Sequence, residues 1–320
     1  MKKRPPEFLR RVADAARRYP SKAQAARSLG IPTSTFRSAL EEADAMFGGH
    51  GSVPIGLPDP AIGVPSVDLP QPIYESYEPV IVDTPGHWGI ISDVHLPYHD
   101  LNTIRKWADD CKKRGIAGVL LNGDILDCYQ LSSHHKDPTK ARFKQELDCG
   151  KQFLQWLRGQ FPSQRIIYKE GNHDDRLRRY IAERAPALFD IEEVDLRVML
   201  GLDDLGIEWV AEKRVINLGK LPVVHGHEFR GGGGVMPARW LYLRTGSTAL
   251  CGHFHRTSEH HETTLDRRHH GVWSVGCACF LYPQYDPNNK WNNGYAIVEL
   301  FQDGHFSVTN RRILRDGQVV

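Results

Sequence analysis

The chain has little that would place it in a membrane or in an oxidising compartment. None of its hydrophobic runs approaches the ~20 residues that span a bilayer, and residues 1–18 are basic without the apolar core of a secretory signal. None of the six cysteines belongs to a CxxC pair, which argues against a disulfide framework or a thiolate metal site. We therefore expect a cytoplasmic protein with reduced thiols, in which Cys277 and Cys279 are packing residues.

Surplus charge is also scarce, but it is unevenly distributed. The formal net charge is +2, yet residues 1–45 hold ten Lys and Arg against five Asp and Glu, and the remainder is mildly acidic. A basic end on such a body suggests contact with a polyanion, but on charge alone we prefer the alternative of a solvated basic helix.

Composition divides the chain into three regions. Residues 1–47 form helices and are basic, whereas residues 48–86 hold eight prolines. Because proline fixes φ and removes a backbone donor, the second region predicts an extended linker. From residue 87 to residue 320, short apolar runs alternate with amphipathic helices, which predicts one large α/β domain.

The first region predicts three short helices. Ser21 with Gln24 is a capping-box pattern at the start of the second helix, and residues 29–32 form a tight turn before the third. This stretch resembles the helix-turn-helix of resolvases and bacterial regulators. The resemblance implies that the last helix contacts DNA. Its predicted DNA-binding residues are Thr33, Ser34, Arg37 and Ser38. A helical cap or an oligomerisation bundle is the alternative.

The third region alternates strands and helices. Strands are predicted at 88–92, 118–121 and 165–168, with helices at 101–113 and 140–158, and this order indicates a parallel sheet with covering helices. Short strand-like runs after residue 205 predict a second, more mixed sheet. They lie at 215–218, 222–225, 249–252, 273–276 and 295–301.

Polar residues of one chemical kind follow five of these apolar runs. They are Asp93 and His95, then Asp124, then Asn172, His173 and Asp174, then His225, and finally His253 and His255. Ligands bind at the carboxyl ends of strands in open α/β sheets, so we expect these residues to meet at one edge. The glycines directly before Asp124, Asn172 and His253 are predicted to let the backbone turn sharply and approach a bound group. Oxygen and imidazole ligands without thiolate suit a pair of divalent cations. We expect manganese, with iron, zinc or magnesium as alternatives.

The segments DVH, GDILD, GNHD, HGH and GHFH together resemble the five motifs of the calcineurin-like metallophosphoesterases, over about residues 87–300. The resemblance implies a four-layer α/β/β/α sandwich with the site at the sheet edge. It assigns Asp93, His95 and His255 to one metal, Asn172, His225 and His253 to the other, and Asp124 as the bridge. His173 would face the leaving oxygen and Asp174 would orient it. His227 is an alternative to His225 as the metal ligand. We prefer His225 because it directly follows the apolar run.

The resemblance implies hydrolysis of phosphate esters. Protein phosphatases of the superfamily carry GDxVDRG and GNHE, whereas this chain has GDILDCY and GNHD, which is closer to phosphodiesterases and nucleases, including phage-encoded ones. We therefore expect a nuclease that reaches DNA through its N-terminal helices, in the host cytoplasm if phage-encoded. One alternative is a phosphoesterase for small molecules or cyclic nucleotides whose helices serve assembly. Another is a DNA-binding regulator with an inactive phosphoesterase domain.

Three residues outside the motifs are candidate substrate contacts. A glycine run at 231–234 predicts a mobile lid, and Arg230 and Arg239 on either side of it would hold a phosphate or a nucleic-acid backbone. His134 follows Asp124 closely enough to border the site. An ordinary flexible loop with solvated arginines is the alternative.

Overall fold

A computed structural model describes residues 4–19, 21–48, 69–73, 77–134, 136–137, 139–211, 213–231 and 235–320. The chain divides into two compact units, residues 1–74 and residues 75–320. Most of the predicted linker and residues 232–234 of the predicted lid lie outside the described residues. Within the described parts, no helix has the length and apolar character needed to cross a membrane.

The first unit contains three helices around a small core. They are α1 (Pro6–Arg18), α2 (Lys22–Ser28) and α3 (Thr33–Phe47). The core is formed by the predicted apolar stripes, with Leu9, Val12 and Phe36 fully enclosed. As the sequence predicts, the Ser21 hydroxyl caps α2 by accepting a hydrogen bond from the backbone N–H of Gln24 at 3.2 Å.

The second unit contains twelve strands and five α-helices among its described residues. In chain order these are β1 (Val80–Val82), β2 (Gly86–Ile91), α4 (Leu101–Arg114), β3 (Gly118–Asn122), α5 (Phe143–Gln160), β4 (Arg165–Lys169), α6 (Arg176–Arg184), α7 (Leu196–Leu200), β5 (Ile207–Val210), β6 (Ile216–Leu218), β7 (Leu221–Val223), α8 (Pro237–Thr245), β8 (Ala249–Cys251), β9 (Ser258–Thr263), β10 (His269–Ser274), β11 (Gly294–Leu300) and β12 (Phe306–Arg312).

The strands form two six-stranded sheets. The first has the order β12-β11-β2-β3-β4-β5, in which β2, β3 and β4 are parallel, as predicted, and β5 continues the parallel part. Residues 295–301 were predicted for the second sheet, but they form β11, which pairs antiparallel with β2 in the first sheet. The second has the order β1-β6-β7-β8-β10-β9 and mixes parallel with antiparallel pairs. In both sheets the strand ends that carry the motif residues are the carboxyl ends of β2, β3, β4, β7 and β8.

Alternating side chains on the strands build three layers of core. Ile90 and Leu120 point into a core shared with Leu250 of the second sheet, so the two sheets face each other. Their neighbours Ile91 and Leu121 point the other way, into a core with α4 and α5. The opposite face of the second sheet packs against α8. The four-layer α/β/β/α sandwich is therefore confirmed.

The predicted linker extends too far toward the C-terminus. Residues 80–82 lie inside it, but they form β1, which pairs in parallel with β6 through Val80 and Ile216. Proline has no backbone N–H to donate to a neighbouring strand, but β1 is an edge strand with a neighbour on one side only. Pro79 and Pro85 can therefore flank it without disrupting the sheet. The second unit therefore begins before residue 87, where the boundary was predicted.

Candidate metal centre

One group of ligands joins the ends of β2 and β8. The Nε2 atom of His255 lies 3.2 Å from Asp93 Oδ1 and 3.1 Å from His95 Nε2. These three side chains are buried and could bind a single metal ion together. They are the same three that the sequence resemblance assigns to one metal.

A second group lies beside the first. The Nε2 atom of His225 is 3.2 Å from Asp124 Oδ2, and His253 completes a set that could bind another ion. The same Asp124 oxygen is 3.9 Å from His95 Nε2 in the first group. Asp124 therefore stands between the two groups, where a bridging carboxylate would be needed.

Three buried polar atoms in this centre have no hydrogen-bond partner among the described residues. They are Asp93 Oδ1, Asn172 Oδ1 and His225 Nε2. A buried acceptor without a partner is destabilising, so atoms of this kind point to a ligand. All three are acceptors that suit a hard or borderline divalent cation. The residues present therefore fit a pair of such cations.

The outer nitrogens of the histidines fix their tautomers. His225 Nδ1 donates to the carbonyl of Asn122 at 2.7 Å, and His95 Nδ1 lies 2.9 Å from Asp127 Oδ1. A proton on Nδ1 leaves the Nε2 lone pair facing the centre, as metal-binding histidines require. Asp127 was not singled out from the sequence, although its motif GDILD contains both acids.

The histidines of the centre hold protons tightly because carboxylates lie beside them. Burial lowers the pKa of His225, but the Asp124 carboxylate outweighs this and raises it to about 10. The pKa of His255 is raised to about 10 in the same way, by Asp93 against burial. Burial raises the pKa of Asp124, yet the histidines hold it well below its usual range. Protons and cations thus compete for the same positions.

The backbone of the ligand loops is unusual. Asp93, His95, Asp124, His253 and His255 all have positive φ, between 49° and 67°. Left-handed backbone is uncommon outside glycine, and Asp and His are among the residues that tolerate it. It turns each ligand sharply out of its strand toward the centre.

Gly171 has a different role from the one predicted for the motif glycines. A Cβ atom at this position would overlap the Asp124 carboxylate and backbone nitrogen. The missing side chain therefore lets the β4 loop approach the β3 loop, rather than a bound group. Only Gly123, with φ of 87°, supports the predicted sharp turn directly before a ligand.

His173 lies at the margin of the centre and is held by Asp127. Its Nδ1 atom lies 2.9 Å from the backbone oxygen of Asp127, which can only accept, so Nδ1 donates. The same Nδ1 atom lies 3.1 Å from the Asp127 carboxylate oxygen Oδ1. Its Nε2 atom is 3.9 Å from Asp124 Oδ2 and 3.0 Å from Arg176 Nη2. Because a guanidinium only donates, Nε2 accepts from Arg176. Arg176 is a further residue that the sequence did not single out.

The role predicted for Asp174 is wrong. Its carboxylate is fully buried and accepts hydrogen bonds from the backbone N–H groups of Asp124, Leu126 and Gly171 and from the Tyr168 hydroxyl. Asp174 therefore joins the β3 and β4 loops, and Asp127 is the carboxylate that orients His173. Burial, with the nearby charge of Asp124, raises the pKa of Asp174 to about 6.

A buried ion pair supports the loop after β7. Glu228 accepts from the backbone N–H groups of His225 and Gly226 and lies 2.9 Å from Lys169 Nζ. This arrangement directs His225 to Asp124. Burial and the charge of His225 lower the pKa of the neighbouring His227 to about 3, and His227 lies outside both ligand groups.

The cysteines also touch the centre. Cys277 and Cys279 are buried, as predicted for packing residues, but Cys279 Sγ lies 3.8 Å from the outer nitrogen of His255. Cys279 therefore also contacts a proposed metal ligand, in addition to packing in the core. All six cysteines are unpaired.

Two cavities open beside the centre. One of about 690 Å³ is bordered by His95, Asp127 and His255 and is rich in aromatic side chains. The other, of about 360 Å³, is bordered by Asn172 and Arg176 and is rich in basic side chains. We call them the aromatic cavity and the basic cavity.

The predicted contact residues are distributed unevenly. His134 lines the basic cavity, beside Asn172. Arg230 and Arg239 are exposed and line neither cavity. In the N-terminal unit, Ser34 and Arg37 are exposed, whereas Thr33 and Ser38 are half-buried. Ser38 also accepts a hydrogen bond from Arg4 at 3.0 Å, which reduces its availability to DNA.

Comparisons with known proteins find similar sequences and structures. The chain is 26% identical over 229 residues to the Gene 54 protein of Mycobacterium phage L5, covering 65% of this chain and 87% of that one. Solved structures with similarity to the chain include Vps29 from Entamoeba histolytica, at 15% identity and a TM-score of 0.40, covering 73% of this chain and 98% of that one. Another is Yfce, a phosphoesterase from E. coli, at 15% identity and a TM-score of 0.33, covering 70% of this chain and 98% of that one. The family model for calcineurin-like phosphoesterases matches residues 88–274. The chain belongs to the calcineurin-like phosphoesterase family, whose members hydrolyse phosphate esters with bound metal ions.

Proposed function

We propose that this protein is a phosphodiesterase that cleaves DNA with two manganese ions. The observation that supports a diester is the pair of cavities at the centre, one bordered by His95 and His255 and the other by Asn172. A phosphodiester carries an organic group on each of two ester oxygens, and both groups need room. A monoester carries only one. The departure from the protein-phosphatase motifs and the basic N-terminal unit support the same proposal.

The ligands divide into two sets with one shared member. Asp93, His95 and His255 would hold one ion, Asn172, His225 and His253 the other, and Asp124 both. When bound, the cations neutralise charge on the phosphoryl oxygens and make water more acidic.

The chain's own residues would position the substrate and move the proton. Arg176 would turn from His173 to a phosphoryl oxygen and form charge-assisted hydrogen bonds there. His173, held at Nδ1 by Asp127, would then be free to take up a proton on Nε2 and donate it to the leaving oxygen.

A panel of four substrates tests this proposal. Turnover with manganese should be measurable on single-stranded DNA and on bis-p-nitrophenyl phosphate, and lower on p-nitrophenyl phosphate. Duplex DNA is the fourth substrate. Faster turnover of the monoester than of both diesters would contradict a phosphodiesterase. Hydrolysis of the small diester without cleavage of DNA would favour the small-molecule alternative. Binding of DNA without hydrolysis of any substrate would favour a regulator.

Deleting residues 1–47 tests the link to DNA. Small-diester turnover should be unchanged, because every proposed ligand lies in the unit of residues 75–320, which has its own core. DNA affinity should fall, and it should fall most at low salt, because phosphate contacts release counterions. The readout is the dissociation constant across a salt series, with the diester assay on the same samples. Arg37→Gln should weaken binding less than the deletion does.

Lys220→Gln is the matched control for Arg37, because Lys220 is an exposed cation on the other unit, beside His305. Equal DNA affinity of the full and shortened chains at every salt concentration would contradict a DNA-binding role for the helices. A simultaneous loss of small-diester turnover would show instead that the helices are needed by the catalytic unit.

A further inference from the structure

The aromatic cavity presents several rings to solvent next to the metal centre. Six aromatic residues line it: Tyr98, Tyr129, Phe280, Tyr282, Tyr285 and Trp291. Phe280 is 60% exposed and Tyr285 is 77% exposed. The Trp291 ring lies 4.2 Å, centroid to centroid, from the ring of the ligand His255. A flat apolar group in this cavity would therefore be in contact with rings and adjacent to the reacting phosphate.

The basic cavity has the opposite character. Its lining includes His134, Lys136, Arg176, Arg179 and Arg184, with Glu183 as its acidic member. Arg179 Nη2 donates to the backbone oxygen of the ligand Asn172 at 2.8 Å, which ties this charged surface to the centre. Such a surface is complementary to a phosphate group.

We propose that a single DNA strand crosses the metal centre, with an unstacked base in the aromatic cavity and a neighbouring phosphate in the basic cavity. This inference rests on the proposed diesterase activity and specifies its substrate. Stacking on aromatic rings holds bases of any sequence, because every base has a π-face, so the cavities would select strand form rather than sequence. A base in a duplex is already stacked and paired, and it must leave that stack to enter the cavity.

Dinucleotides allow the base contact in the aromatic cavity and the phosphate contact in the basic cavity to be tested separately, because each dinucleotide contains one cleavable phosphodiester bond. The reference substrate is thymidylyl-thymidine. One pair of analogues lacks the base on one side or the other of the phosphate, and a second pair carries an added phosphate at the 5′ or the 3′ end. Removing the base that occupies the aromatic cavity should lower kcat/KM by about 5- to 150-fold. Adding the phosphate that reaches the basic cavity should raise kcat/KM by roughly 10-fold.

Two double variants assign these effects to the cavities. Phe280→Ala with Tyr285→Ala should remove most of the base effect and leave the gain from the added phosphate. Lys136→Gln with Arg184→Gln should do the reverse. The matched controls are Phe301→Ala and Lys220→Gln, because both residues lie away from the ligands. Phe301 follows the end of β11, and this end of β11 pairs with the start of β2, whereas the ligands follow the end of β2. Lys220 lies against the same β11–β12 turn, where its backbone N–H donates to Gly304.

The outcomes separate this inference from the proposed function. Equal kcat/KM with and without either base would overturn the inference, provided that the dinucleotide is cleaved. A base effect that persists in the aromatic double variant would also overturn it. Hydrolysis of bis-p-nitrophenyl phosphate without cleavage of any dinucleotide would instead contradict the proposed action on DNA. Circular dichroism of each variant shows whether it is folded.

Discussion

Replacing Asp124 by asparagine should abolish hydrolysis and reduce bound manganese to one ion per chain or none. Asp124 Oδ1 accepts a hydrogen bond from the backbone N–H of His173 at 2.8 Å, and Oδ2 faces His225. An asparagine would keep the first contact with its oxygen, so its NH₂ group would face the cations, which it cannot bind. Loss of charge stabilisation worth several kcal/mol predicts a decrease of about 10³-fold or more in turnover.

Two measurements on the same samples test this prediction. Inductively coupled plasma mass spectrometry gives the metal content after gel filtration, and an assay with bis-p-nitrophenyl phosphate gives the turnover. Asp109→Asn is the control, since it removes one carboxylate from the exposed face of α4 and should change neither quantity. If the Asp124 variant kept two tightly bound ions and near-normal turnover, the assignment of Asp124 as the bridge would be wrong.

Replacing His173 by alanine should leave metal content intact and slow turnover according to the leaving group. A general acid contributes about 10²–10⁴-fold, and its contribution is largest when the leaving oxygen most needs a proton. The two substrates to compare are the p-nitrophenyl and phenyl esters of thymidine 5′-phosphate, which share one ester group and differ in the other. The phenyl ester should be slowed more.

His305→Ala is the control for this substitution, because His305 is an exposed histidine beside Lys220, away from the ligands. Asp127→Asn adds a second test. It removes the carboxylate charge beside the His173 imidazole, which should weaken the general acid and change the ratio of turnover between the two esters. Equal slowing of both esters by His173→Ala would remove the general-acid role. Loss of manganese would show that His173 supports the metal centre instead.

The ligand positions could be predicted from the sequence because they follow local rules. Each ligand lies within a few residues of the end of an apolar run, and parallel strands bring such ends to one edge, as with Asp93 after β2 and Asp124 after β3. The order of strands and helices gave the parallel sheet in the same way. The N-terminal helices were found from apolar periodicity and from the Ser21 cap, both of which involve residues a few positions apart.

The contacts that were missed depend on distances along the chain that no local pattern encodes. Asp127 reaches His95 and His173 from 32 and 46 residues away. Asp174 follows His173 in the sequence, yet its hydrogen bonds are to the β3 loop 48 and 50 residues earlier. Adjacency suggested the wrong partner for Asp174. Strand β1 was not predicted because it has only three residues and prolines flank it on both sides, so the sequence pattern indicated a linker.

The left-handed backbone at five of the seven proposed ligands bears on how such a protein can evolve. For residues other than glycine, this conformation is less stable by roughly 1–2 kcal/mol at each position, and somewhat less for Asp. A lineage that no longer used its metal could gain stability by placing glycine at these positions, because random substitutions that stabilise a chain persist when function does not oppose them. A lineage that binds metal cannot make this change without losing ligands, so the strained backbone and the metal centre would be kept or lost together.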